Sequence, residues 1–155
     1  MNARFMAEAI SLASEGMADG LGGPFGAVVV RDGEILGRAC NDVIALRDPT
    51  AHAEVQAIRM ACSNINDFHL EGCALYCSCE PCPMCLGAAY WARIGRIYYA
   101  AGQEDAAHIG FDDAAIYSEL SLEPGRRRIP MFQLMRNEIL EVFARWQEKT
   151  DRVLY

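Results

Sequence analysis

The sequence predicts an α/β protein, a layered sheet with helices on both faces. Three observations carry that prediction. Helical and strand-like apolar patterns alternate in the order α-β-β-α-β-α-β. The pair Asp32-Gly33 separates two apolar runs, which is a strong hairpin signal. The 155 residues are 52% hydrophobic and 23% charged, enough apolar surface for the core of a single domain spanning 1–155.

Each element follows from its local pattern. In residues 4–17, Phe5, Ala9, Leu12 and Gly16 share one helical face, with Met6, Ile10, Ala13 and Met17 beside it. "GGPFGAVVV" and "EILGRAC" then flank the Asp32-Gly33 turn as two antiparallel strands. In "DPTAHAEVQAIRMAC", Pro49 and Thr50 stand at the head and Ala51, Val55, Ile58 and Cys62 recur at helical spacing, so a helix starts close to His52. "CALYCSC" reads as a buried strand, "PMCLGAAYWA" as a helix and "RIYYAAG" as a strand. Beyond them, "FDDAAIYSEL" and "MRNEILEVFARWQEKT" are helical in pattern, and "SLEPGRRRIP" interrupts them.

Charge and composition exclude several functional classes. A formal charge of -7 repels phosphate, so nucleic acid is a disfavoured partner. The basic run Arg126, Arg127 and Arg128 is short and reads as a solvated loop. No stretch approaches the roughly 20 apolar residues of a membrane span, and the N-terminal residues lack a secretory pattern, so a cytoplasmic protein without membrane association is expected. The odd count of 7 cysteines, crowded between Cys73 and Cys85, suits a reducing compartment and a metal better than a disulfide framework.

The chemistry concentrates in two short segments. His52 and Glu54 form H-x-E at one helix start, and Cys82 and Cys85 form P-C-x-x-C at another. Together they make the zinc-deaminase signature. Thiolate and imidazole suit zinc, and the positive end of a helix dipole favours a deprotonated thiol. Two cysteines and one histidine leave one tetrahedral position for a catalytic water. Residues two apart on a helix point roughly 200° away from each other, but at a first turn His52 and Glu54 can both face a point above the axis. Glu54 then serves as the general base that takes the proton of water and returns it as an acid. Cys79 offers a different reading, in which His52, Cys79, Cys82 and Cys85 close a structural zinc site and Glu54 is idle.

With these residues placed, the chain resembles the cytidine deaminase superfamily, and within it the small bacterial guanine deaminases. "GGPFGAVVV", "DPTAHAEV", "SCEPCPMCLGA", "YWAR", "YAA", "GFDD" and the final Tyr155 carry the resemblance nearly end to end. It implies a three-layer α-β-α fold with a mixed central sheet and hydrolysis of guanine to xanthine and ammonia. It also implies one Zn2+ per subunit held by His52, Cys82 and Cys85, with Glu54 and Asp113 moving protons. Phe25, Asn41, the backbone of Ala53, Asp113 and Tyr155 would bind the purine base. A homodimer is implied as well, with a domain-swapped segment of about residues 125–155 forming a lid that brings Tyr155 to the partner's site. The superfamily motif is shared by tRNA adenosine deaminases, and guanosine or other aminated heterocycles such as triazines are alternative substrates.

Overall fold

In the computed structural model, which describes residues 2–154, the apolar alternation of the sequence resolves into two layers of helix around one sheet. The first helix, α1 (Ala3–Ala18), begins where the Asn2 side chain accepts a hydrogen bond from the Arg4 N–H at 3.0 Å, a cap typically worth about 1 kcal/mol. The strands β1 (Gly26–Arg31) and β2 (Glu34–Cys40) follow as an antiparallel pair. Asp32 and Gly33 both take positive φ, 52° and 84°, the backbone of the primed turn whose twist matches a hairpin.

A four-residue helix α2 (Val43–Leu46) precedes α3 (Ala53–Ile65), then β3 (Ala74–Cys79), α4 (Pro83–Trp91) and β4 (Arg96–Ala101) complete the sheet. The strand order is β2-β1-β3-β4. β1 pairs antiparallel with β3, whereas β3 and β4 are parallel and joined through α4. The sheet is therefore mixed, as expected.

Side-chain alternation sorts the two cores. Val28 and Val30 of β1 and Tyr76 of β3 face one side and pack with Phe5 of α1. Ala27 and Val29, with Leu75 and Cys77, face the other and pack with Ala57, Ile58 and Ala61 of α3 and Ala89 of α4. A central strand buried on both faces explains why "GAVVV" is continuously apolar. Each fully buried Val or Leu contributes about 1.5–3 kcal/mol.

The helix expected close to His52 is present, and its buried face is a stripe of small residues. Ala53, Glu54, Ala57, Ile58 and Ala61 are buried, while Val55 and Cys62 lie at its margin. The reason is close packing: a Cβ on Gly37 would stand 2.3 Å from the Ala57 carbonyl oxygen, so α3 rests its alanine stripe directly on β2. The helix α5 (Gln103–His108), which the pattern did not announce, starts where Asp105 Oδ2 accepts from the Gly102 N–H at 2.8 Å.

The chain divides between Ala114 and Ala115 into two compact units. The second holds α6 (Ala114–Leu120) from its first turn onward, a 3₁₀ turn (Pro124–Arg126) and α7 (Arg136–Glu148). Its basic run has a structural use: the Arg127 guanidinium donates to the carbonyl oxygens of Leu122 and Leu120 at 3.1 and 3.5 Å, and the Arg128 N–H donates to Glu119. Arginine satisfying the last carbonyls of a helix is a common C-terminal device.

Candidate active site

The sheet has a chemical end and a turn end. Gly26, at the start of β1, is paired with Cys40 at the end of β2, and Cys79, at the end of β3, is paired with Ala101 at the end of β4. Ala27 pairs with Cys77, so all four strands bring these termini to the same edge. Phe25, Asn41 and Glu80 are the residues immediately beyond it. Crevices outside strand ends are where α/β sheets usually hold ligands.

Two helix N-termini supply the metal donors. His52 is the N-cap of α3 and Cys82 the N-cap of α4, with Pro83 in the first turn; neither side chain caps its helix. His52 Nδ1 lies 3.6 Å from Cys82 Sγ and 3.5 Å from Cys85 Sγ, and the two sulfurs are 3.5 Å apart. Zinc bonds of about 2.3 Å to sulfur and about 2.0 Å to nitrogen separate tetrahedral donors by roughly 3.5–3.8 Å. The donor set thus fits zinc in both chemistry and spacing.

The electrostatics agree with that fit. The hydrogen bond with Cys85, assisted by His52, holds the Cys82 thiol down at about 4 against the opposing effect of burial. The same hydrogen bond and burial push Cys85 up. The hydrogen bond to Cys82 raises His52.

Glu54 sits in the first turn of α3 and is only 7% exposed. Its Oε2 is 3.5 Å from Cys85 Sγ, so His52 and Glu54 do converge above the helix end. Burial raises its carboxyl above the ordinary range, which suits a group that must both take and release a proton.

The sequence-selected recognition residues of the first unit lie around the same edge. Asn41 is 5% exposed, and its Oδ1 accepts from the N–H groups of Gly23 and Val43, each at 3.3 Å. Those bonds fix the amide orientation. Ala53 is fully buried at the first position of α3, where a backbone N–H has no acceptor within its own helix. Asp112 Oδ1 accepts from the Ala114 N–H at 2.9 Å. Desolvation and then the charge on Cys82 raise the Asp113 carboxyl. Tyr155 lies outside the described residues.

Cys79 stands apart from the donor cluster. Its thiol approaches the Gly102 carbonyl oxygen at 3.7 Å, and the metal-ligating group among the described residues comprises His52, Cys82 and Cys85. An open groove of about 770 Å³ across the edge of β2, lined by Glu8, Arg38 and Met60 among others, contains none of the donors. Sequence reasoning did not single out Gly23, whose role emerges only when its loop meets Asn41.

A mixed sheet with histidine and paired cysteines at two helix starts defines a zinc-binding deaminase domain. The model of the cytidine and deoxycytidylate deaminase zinc-binding region matches residues 1–101, and the chain belongs to this family. Guanine deaminase of Bacillus subtilis is 49% identical over 151 residues, 97% of this chain and 97% of the relative. The X-ray structure of guanine deaminase from Bacillus subtilis superposes with a TM-score of 0.96, at 49% identity, covering 100% of this chain and 99% of that one. A tRNA-specific adenosine deaminase of Aquifex aeolicus is 49% identical over 78 residues, 50% of this chain and 52% of the relative.

Proposed function

We propose that the protein hydrolyses guanine to xanthine and ammonia. The observation that carries this reading is the 49% identity to guanine deaminase sustained over 97% of both chains, whereas likeness to the tRNA deaminase of Aquifex aeolicus covers half of this chain. One Zn2+ per subunit would be held by His52, Cys82 and Cys85, with water as the fourth ligand. When bound, zinc supplies the Lewis acidity that makes water nucleophilic near neutral pH.

The protein's own residues do the rest. Glu54 takes a proton from the water that attacks C2 of guanine and returns it to the substrate. The bond from C2 to the amino nitrogen then breaks, and ammonia leaves, with Asp113 as a second proton carrier. Asn41 presents its amide N–H2 to a purine acceptor because its oxygen is already engaged by two backbone donors. Phe25 stacks on the base, and the Ala53 N–H donates to it. An unpaired polar edge in such a site costs about 1–3 kcal/mol, which makes these donors selective for a base that answers them.

The test is ammonia release together with the ultraviolet change of guanine to xanthine, across guanine, guanosine, adenine, cytosine and cytidine. Turnover of guanine alone is expected. Silence on guanine with turnover of another compound in the panel would move the substrate, and salt-sensitive tRNA binding would favour the adenosine deaminase reading.

A cytoplasmic homodimer belongs to the same proposal. Among the described residues no helix is long and apolar enough to cross a membrane. In the second unit α7 exposes Phe143 and Trp146, and in the first unit α4 exposes Tyr90 and Trp91. Apolar surface of this kind marks association. In this reading the lid segment of one copy, ending at Tyr155, completes the site of the other. Sedimentation is expected to give a dimer, and deletion of Tyr155 is expected to weaken turnover severalfold with the dimer intact; a monomeric or kinetically unchanged protein would overturn it.

A further inference from the structure

Beside Phe25 and Asn41, the residues Gly23, Gly110 and Phe111 form a connected set that the proposed reaction does not use directly. Its anchor is the end of α5. Gly110 adopts φ of 96°, its N–H bonds the Ala107 carbonyl at 3.0 Å, and the Phe111 N–H bonds the Ala106 carbonyl at 2.9 Å. Those two bonds are the left-handed helix terminus in which the second residue past the cap is fixed by the backbone. Phe111 is therefore held in place although the residue is 46% exposed.

The ring of Phe111 meets the ring of Phe25 edge to face, with centroids 4.9 Å apart and planes at 88°. This is the favoured aromatic geometry. Phe25 is tied to Asn41 in turn, because its carbonyl accepts the Asn41 N–H at 2.9 Å. Between them runs Gly23. A Cβ there would stand 2.9 Å from Phe111 Cζ and 3.0 Å from Phe25 Cε2, while its N–H bonds Asn41 Oδ1. One glycine thus touches both rings and the amide.

We infer that Phe111 is a positioning residue for the purine, setting the plane of the Phe25 ring against the base, and that Gly23 is the opening that admits it. The inference rests on the proposed substrate. Phe111 does not reach the reacting atoms; it acts through Phe25. Truncating it frees that ring to rotate, which weakens ground-state and transition-state binding alike and raises KM more than it lowers kcat.

The experiment is a double-mutant cycle on the zinc-loaded protein, with zinc content and circular dichroism recorded for every variant. Phe111→Ala is expected to raise KM for guanine roughly tenfold with kcat within about threefold, from the size of an aromatic pair. Phe111→Tyr, which keeps the ring edge, is expected to restore KM to within about twofold of wild type. Gly23→Ala alone is expected to raise KM, and to raise it by a smaller factor in the Phe111→Ala background, where one of its two collisions is gone.

Unchanged KM in Phe111→Ala, or fully independent effects of the two substitutions, would overturn the positioning role. Loss of zinc or fold in Phe111→Ala, with Phe111→Leu folded and kinetically normal, would overturn it too and leave a purely structural residue. Wild type is the reference throughout: if it leaves guanine untouched, the substrate reading fails, and the same cycle is read on whichever compound of the panel it does turn over.

Discussion

Glu54→Gln is expected to lower kcat on guanine by on the order of 10²–10⁴ while KM moves only a few-fold. The magnitude follows from what the substitution removes. Glutamine keeps the length and planarity of the side chain but cannot accept a proton and hand it on. The position is 7% exposed, so no bulk water stands ready to replace the lost carboxylate. Zinc content is expected to stay at wild-type level, because the group that could hold the metal comprises His52, Cys82 and Cys85 and leaves Glu54 out. Steady-state kinetics with parallel metal analysis checks both statements. Retained turnover would remove Glu54 from the mechanism, and lost zinc would turn it into a structural residue.

The second large effect is expected at the cysteines, as a contrast. Cys85→Ser should lose zinc and with it all measurable guanine turnover, since a hydroxyl is a poor substitute for thiolate as a zinc donor. Cys79→Ser should keep both, because its thiol addresses the Gly102 carbonyl at 3.7 Å and lies outside the donor cluster. Chelation of the wild type should mimic Cys85→Ser and be reversed by added zinc. It should also lower the thermal midpoint, because a ligand bound only by the native state stabilises it. Zinc uptake should release a proton from the Cys82 and Cys85 pair, so apparent affinity falls as pH is lowered. Zinc lost in Cys79→Ser together with unfolding would restore the four-ligand structural site.

The sequence encodes the residues behind these predictions locally. H-x-E and P-C-x-x-C were legible because a helix start turns short spacing into convergence, and the signals of a helix start are local: Pro83 after Cys82, and the Pro49 and Thr50 turn before His52. The hairpin was legible from Asp32-Gly33 for a similar reason, since few residues adopt consecutive positive φ values. What escaped depends on distant segments meeting. The helix α5 is too short to show a period, and its end matters only because it delivers Phe111 to Phe25. The alanine stripe of α3 outranked the larger Val55 and Cys62 because Gly37 lets the helix approach so closely. The orientation of Asn41 is set by the N–H groups of Val43 and of Gly23, the second a residue with no side chain to advertise the contact.

The two ends of the hairpin give the molecule a direction. The strands that finish in Phe25 and Asn41 at one edge are joined at the other by the solvent-exposed turn at Asp32 and Gly33. Chain length can therefore vary at that tip without disturbing Phe25 and Asn41, whereas a single added residue between Cys40 and Val43 would carry the Asn41 amide out of register with its two donors. A tether or a fused reporter belongs at the tip. The edge that carries Asn41 has no comparable slack.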